Sequence, residues 1–282
     1  MPELPEVECV VQALAGCLLN RKFSDVEFFY DRMLQQGMDR REFVRRLQGR
    51  QIREIKRRGK YIFFNLSGGM VLEVHLRMTG RFLFTSEPRP AARHTGAIFY
   101  FEGGGALHFQ DMRKFGTFRL WDEDTLTCSP AYTLGPDPLS NEFSFSFFEH
   151  LLERKKAVRI KPLLLNQQNL AGLGNIYTDE ALYRARIHPA RTGGSLQDAE
   201  KKRLFRAISA VLKESISRGG TTFSDFRDLQ GEVGHFQEYL KVYRREEKKC
   251  LSCSTLITRT VICGRGTYYC PSCQKPPLPV TS

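Results

Sequence analysis

Over residues 2–20 the apolar positions fall at Leu4, Val7, Val10, Val11, Leu14, Ala15, Leu18 and Leu19. That three- and four-residue spacing predicts a helix with one buried stripe. From about residue 22 to 125 the pattern changes to short strand-like runs, among them 60–64, 70–76, 81–84, 97–101 and 116–121. Ser67-Gly68-Gly69 and Gly103-Gly104-Gly105 break the runs as turns. Several short strands at this spacing predict a β-sandwich or barrel. Leu134-Gly135-Pro136-Asp137-Pro138-Leu139 is a breaker segment and reads as a linker. Residues 143–218 are helical in pattern, and Gly219-Gly220 then opens a polar loop reaching to about 236. A cysteine module occupies the last forty or so residues, and the proline-rich run from Lys275 reads as an unpacked tail. No internal repeat is visible.

Composition narrows the classes. A chain of 282 residues with 41% hydrophobic content has room for two globular domains. The net charge of +12 fits either a plain basic surface or a polyanionic partner. No apolar run of about 18 residues is present, so no membrane partner is expected. The first residues are acidic where a secretion signal would be basic and then apolar, which points to a cytoplasmic protein. Four of the eight cysteines cluster at metal-ligand spacing, in keeping with a reducing compartment.

Those four carry the most specific chemistry. Cys250-Leu251-Ser252-Cys253 and Cys270-Pro271-Ser272-Cys273 stand sixteen residues apart. This is the spacing of a tetrahedral zinc ribbon with a β-hairpin between its knuckles. Four thiolates leave no open coordination position, so one zinc ion would be structural and would supply most of the folding energy of so small a module. Cys263 falls outside the spacing as a hairpin thiol, while Cys9, Cys17 and Cys128 read as small core residues. Between the knuckles, Gly264-Arg265-Gly266 presents a guanidinium on a turn, suited to a phosphate or simply to solvent. Leu170-Ala171-Gly172-Leu173-Gly174-Asn175 runs into a helix start, where Asn175 could donate its amide to a phosphate; a plain helix-packing turn has the same pattern. Basic residues Arg154, Lys155, Lys156, Arg159 and Lys161 are expected on one helix. His75-Leu76-Arg77-Met78-Thr79-Gly80 and Asp111-Met112-Arg113-Lys114-Phe115-Gly116 interleave basic and large apolar residues on loops, as a wedge entering a DNA stack would. A core methionine and phenylalanine would read the same way in isolation. The opening Met1-Pro2-Glu3-Leu4-Pro5-Glu6 offers a secondary amine beside carboxylates if Met1 is removed. Such an amine can attack an electron-poor carbon such as C1′ of a deoxyribose. Taken alone, the same residues are ordinary helix-start chemistry.

Taken in order, Met-Pro-Glu-Leu-Pro-Glu-Val-Glu, Arg-Arg-Gly-Lys-Tyr, His-Leu-Arg-Met-Thr-Gly, Asp-Met-Arg-Lys-Phe-Gly, Gly-Leu-Gly-Asn-Ile-Tyr and the four-cysteine module closely resemble bacterial formamidopyrimidine-DNA glycosylases from residue 2 to about 274. The resemblance implies an α+β multidomain fold. Residues 2–131 would form the N-terminal helix and two-layer β-sandwich, and 132–150 a linker. Residues 151–236 would form a helix–two-turn–helix domain carrying a lesion-capping loop, 237–274 the zinc finger, and 275–282 a disordered tail. The implied activity is excision of 8-oxoguanine and formamidopyrimidines from duplex DNA, followed by strand cleavage through β- and δ-elimination. Pro2 would form the Schiff base at C1′ of a flipped nucleotide and Glu3 would transfer protons, with Lys60 and Arg265 in the catalytic site. Lys60, His75, Asn175 and Arg265 match phosphate-contacting positions. Met78, Arg113 and Phe115 match void-filling ones, and the loop beginning at Thr221 matches the lesion cap. A nucleoid-associated, cytoplasmic monomer is the implied setting. Cys9-Val10-Val11 and Arg244 depart from the family pattern and leave the lesion preference open. Two rivals remain: an endonuclease VIII-like glycosylase for oxidised pyrimidines, against which Leu4 and the Met/Arg/Phe set speak, and a non-catalytic zinc-ribbon DNA-binding protein.

Overall fold

The computed structural model describes residues 1–276 apart from 35–36, 88, 224–228 and 230. Part of the expected lesion cap and positions 277–282 of the expected tail therefore lie outside the described residues. By contact, the chain divides into one unit of residues 1–133 with 218–237, and a second of 134–217 with the remainder.

The first unit begins with α1 (Leu4–Leu18). Pro5 is tolerated because its missing N–H falls in the first turn, and the stripe Leu4, Val7, Val10, Val11, Leu14 and Leu18 is buried. Leu19, expected on that stripe, lies beyond the last turn and is exposed. Strand β1 (Phe23–Phe28) and helix α2 (Arg40–Leu47) follow, with Asp39 capping α2 through the Glu42 N–H at 2.9 Å. Seven further strands complete the unit: β2 (Ile52–Arg58), β3 (Tyr61–Leu66), β4 (Met70–His75), β5 (Gly80–Thr85), β6 (Thr95–Phe101), β7 (Ala106–Asp111) and β8 (Thr117–Asp122). They form two four-stranded antiparallel sheets, ordered β1-β6-β7-β5 and β2-β3-β4-β8. Phenylalanines fill the space between the sheets. The Phe118 ring of one lies 4.9 Å from Phe109 and 5.4 Å from Phe99 of the other. The stripe of α1 joins the same core.

Residues 218–237 belong to this unit. Leu229 is buried in the sandwich core, and its carbonyl accepts the Phe84 N–H at 3.4 Å. Residues 218–237, which hold the expected lesion cap, thus group by contact with the sandwich, where the sequence pattern set them beside the helices. Its two ends are stitched together: His235 N–H to Arg218 carbonyl and Phe236 N–H to Gly220 carbonyl, both at 3.0 Å, and Gly234 N–H to Thr222 Oγ1 at 2.9 Å. A Cβ on Gly234 would lie 2.3 Å from the Gly220 carbonyl oxygen, so glycine is what allows the two strands of chain to cross.

The second unit holds α3 (Phe145–Arg154), α4 (Ile160–Leu165), α5 (Asn175–Ala185) and α6 (Asp198–Ser217), then the hairpin β9 (Thr258–Ile262) and β10 (Arg265–Tyr269). Ser144 caps α3 through the Phe147 N–H. The expected single basic helix is two: α3 ends at Arg154, and Lys161 sits in α4 with its side chain wholly buried. Cys9 and Cys17 are half-buried and pack against the edge of the sandwich core, whereas Cys128 of the first unit is exposed and is not the core residue expected.

Candidate functional site

Pro2 and Glu3 are both buried at the start of α1, where Glu3 is the N-cap residue. The Glu3 N–H donates to Glu6 Oε2 at 2.8 Å, and Glu6 Oε1 accepts the Thr221 N–H at 2.8 Å. One buried carboxylate therefore ties the helix start to the root of the 218–237 segment. Sequence reading saw in Glu6 only a charge near the helix terminus. Thr221, expected among the DNA-binding residues, is buried, and its backbone N–H is held by Glu6.

Lys60 occupies the two-residue turn between β2 and β3 and is buried. Arg57 fixes that turn to α1. Its Nε donates to Glu8 Oε2 at 2.9 Å and its second nitrogen to the Gly59 carbonyl at 3.1 Å. Arg57, which could have been part of a solvated patch, is thus a clamp between the helix that follows Pro2 and Glu3 and the turn bearing Lys60, while Arg58 Nε donates to the Ala131 carbonyl at 2.9 Å. His75 closes β4, buried with the Tyr61 ring edge-on at 4.5 Å. The Arg77 N–H donates to His75 Nδ1 at 2.9 Å, which leaves Nε2 as the protonated nitrogen. Burial, followed by the charges of Arg77, Lys60 and Arg119, pushes the imidazole down to about 3, so the ring is a neutral donor.

Met78 stands on the loop after β4, and Arg113 and Phe115 on the loop after β7. All three are exposed, with Met78 at 38% and Phe115 at 50%, an uncommon placement for large apolar side chains. The Arg113 guanidinium lies 4.9 Å from the centre of the Phe115 ring. These loops are not packed into the core, which removes the bland reading of both motifs.

In the second unit the structure brings Asn175 and the Arg265 turn together. Asn175 Nδ2 and Lys161 Nζ both donate to the Gly266 carbonyl, at 2.8 and 3.0 Å. Asn175 therefore has one amide hydrogen committed to the hairpin, and Arg265 beside Gly266 is exposed. Lys161 also donates to Asp179 Oδ1 at 2.7 Å, both side chains fully buried. The other oxygen of Asp179 accepts the Tyr268 N–H at 2.9 Å. Burial pushes Asp179 up to about 7 against the pull of Lys161. Next to it, buried Glu180 accepts the N–H groups of Lys241, Val242 and Tyr243 at 2.9–3.0 Å. This pair of buried acids, to which the sequence pattern assigns no role, fastens residues 241–243 and the hairpin to α5.

The sulfurs of Cys250, Cys253, Cys270 and Cys273 all lie within 4.8 Å of one another, with 3.4 Å between Cys253 and Cys270 and 3.9 Å between Cys250 and Cys273. Zn–S bonds of about 2.3 Å in a tetrahedron require sulfurs about 3.8 Å apart, so the set fits one structural zinc ion. Tyr183 of α5 supports it, its hydroxyl 3.3 Å from Cys250 Sγ and 2.8 Å from Ser252 Oγ.

Three family models match along the chain: the formamidopyrimidine-DNA glycosylase N-terminal domain over residues 1–118, its H2TH domain over 134–227, and a zinc finger found in FPG and IleRS over 247–276. A formamidopyrimidine-DNA glycosylase of Pelotomaculum thermopropionicum is 46% identical over 276 residues, spanning 98% of this chain and 99% of that one. The chain belongs to the formamidopyrimidine-DNA glycosylase family. Among solved members of the family, Lactococcus lactis FPG in complex with Fapy-dG-containing DNA matches at a TM-score of 0.88 and 34% identity, over 97% of this chain and 100% of that one. The wild-type Lactococcus lactis protein in complex with DNA containing an oxidised pyrimidine matches at 0.89 and 34% identity, over 98% and 100%. Like that family's glycosylases, the chain is an enzyme of DNA base excision with a four-cysteine zinc finger. Among the described residues, no helix is long and apolar enough to cross a membrane.

Proposed function

We propose that this family member excises oxidised purines from damaged duplex DNA and cleaves the strand at the resulting abasic site, working as a cytoplasmic, nucleoid-associated monomer. The observation that carries the reading is the buried Pro2-Glu3 pair at the start of α1, held by Glu6 and clamped through Arg57 to the turn bearing Lys60. Once Met1 is removed, the Pro2 secondary amine attacks C1′ of a flipped nucleotide and the base leaves with the glycosidic electron pair. Glu3 protonates the sugar ring oxygen as the ring opens to the iminium. Proton abstraction next to the iminium then expels the 3′ phosphate, and a second elimination expels the 5′ phosphate. Met78, Arg113 and Phe115 fill the space the nucleotide vacates, with Arg113 facing the orphaned cytosine. Lys60, His75, Asn175 and Arg265 hold phosphates around the lesion.

Borohydride trapping on an 8-oxoguanine duplex tests this. The protein with Pro2 at its terminus should give a covalent adduct. Retention of Met1, or Pro2→Gly with its primary amine, should impair strand cleavage while zinc content and DNA binding stay unchanged. Full cleavage by the N-terminally blocked protein would overturn the Pro2 assignment, and tight binding with no adduct from any form would favour a non-catalytic binder. The Lactococcus lactis complex with oxidised-pyrimidine DNA supports a second reading in which the lesion range extends to pyrimidines. A thymine-glycol duplex in the same assay separates the two.

A further inference from the structure

Asp111, the last residue of β7, is 1% exposed, and both its oxygens face donors on the two loops that carry Met78, Arg113 and Phe115. Its Oδ1 accepts the Thr79 hydroxyl and, at 3.2 Å, the Arg113 N–H. Its Oδ2 accepts the N–H groups of Phe115 and Gly116, each at 2.7 Å. Thr79 Oγ1 also receives the Arg113 N–H at 3.1 Å, which closes a small ring of bonds between the two loops. Gly116 is what lets the backbone come so close: a Cβ there would lie 2.4 Å from Phe109 Cζ and 3.2 Å from Asp111 Oδ2.

We propose that Asp111 is the positioning residue of the wedge, a single buried carboxylate that holds Met78, Arg113 and Phe115 in one fixed array. The inference rests on the flipping role proposed above for those three side chains. An exposed methionine and phenylalanine on free loops would fold onto the nearest apolar surface, and a wedge must instead keep its shape against a base stack. Hydrogen bonds to an ionised acceptor are about twice as strong as neutral ones, and four converging on one carboxylate make a rigid joint. A carboxylate suits the place because three backbone N–H groups, which can only donate, are divided between its two oxygens. An amide in the same place has one acceptor oxygen, and its NH2 would confront either the Phe115 and Gly116 N–H groups or the Arg113 N–H and the Thr79 hydroxyl that now donates. A negative charge beside a DNA-facing loop is tolerable because it points inward and is fully satisfied.

The test uses the full zinc-loaded chain carrying Asp111→Asn, with Thr79→Val as a milder variant that removes the two bonds of the Thr79 hydroxyl and leaves the carboxylate and its three backbone partners in place. Three readings are taken: single-turnover excision of 8-oxoguanine from duplex, fluorescence of a 2-aminopurine beside the lesion, and borohydride trapping on an abasic site in single-stranded DNA, where there is no stack to open. Losing charged hydrogen bonds at the wedge should slow duplex excision roughly tenfold or more in Asp111→Asn. The 2-aminopurine signal should fall with it, trapping on the single strand should stay near wild type, and Thr79→Val should move the same way by less. Unchanged duplex excision would overturn the proposal. So would an equal loss on both substrates, in either variant, because that marks a general structural role. A wild-type protein that traps on neither substrate would sink the glycosylase reading itself, and the inference with it.

Discussion

A buried histidine beside two cationic side chains loses its ability to act as a cation. Lys60 and Arg77 flank His75, with Arg119 opposite β4, and Tyr61 covers the ring. The sequence marked His75 as a phosphate contact through its motif but not its charge state, which depends on neighbours from three strands. The native imidazole stays neutral down to about 3, whereas the unfolded ring takes up a proton near 6.5. Below 6.5 the unfolded chain therefore binds more protons, and stability falls as the pH drops through that window, by about 1.4 kcal/mol per pH unit from this residue. Denaturant unfolding of wild type and His75→Gln between pH 4.5 and 7 should show this slope in the difference between them. A neutral donor displaces no counterion either, so His75→Gln should weaken DNA binding without changing its salt dependence. A salt slope that drops by about one would mean that His75 is charged in the complex.

At the scale of elements, the informative surprise is the interior of the second unit. Lys161 reads from the sequence as one of five basic residues on a single helix. Its partner lies 18 residues further on, in Asp179, and its second acceptor 105 residues on, at Gly266. Such pairings are invisible to a local pattern, and so is the burial of α5 on almost every side, its two acids included. By contrast, the stripe of α1 and the two cysteine knuckles are local, and both stand where the spacing put them. Strand β2 illustrates the intermediate case. It is an edge strand rich in charge, with only Ile52 and Ile55 buried, so its alternation is weak. Removing one member of a fully buried ion pair leaves the other charge uncompensated and costs about 3–5 kcal/mol. Lys161→Met should show a loss of that size by chemical denaturation, and Lys161→Met combined with Asp179→Leu should recover most of it. If the double variant is as unstable as the single one, the pair is not an isolated unit of stability.

For the whole molecule, the division into units decides what depends on the metal. The sandwich unit owns a continuous apolar core built from α1 and both sheets. The finger's own cluster is small: Val242, Cys250, Ile257 and Cys270 with Tyr183 of α5. Chelation of zinc should therefore strip amide-exchange protection from residues 247–274 and leave the sandwich strands protected. Loss of protection throughout the sandwich would show that its core cannot stand without the finger. The net charge of +12 belongs to this scale as well, since binding to duplex DNA should weaken steeply between low and physiological salt. Family membership was legible in the order of six short motifs. What those motifs concealed was the grouping of residues 218–237 with the sandwich, because it depends on long-range bonds to Glu6 and Phe84.

The stitched root of that segment has a consequence for how the protein can change. Closing a loop costs free energy that grows only logarithmically with its length, about 0.6 kcal/mol per doubling. Here the closure is made by bonds below residue 223 and above 233, with Gly234 fitted against Gly220. The root is therefore closed by its own bonds, and extra chain between its two ends adds little to the cost of that closure. The root is a socket: what it carries can differ in length from one family member to the next at small cost to the fold that holds it.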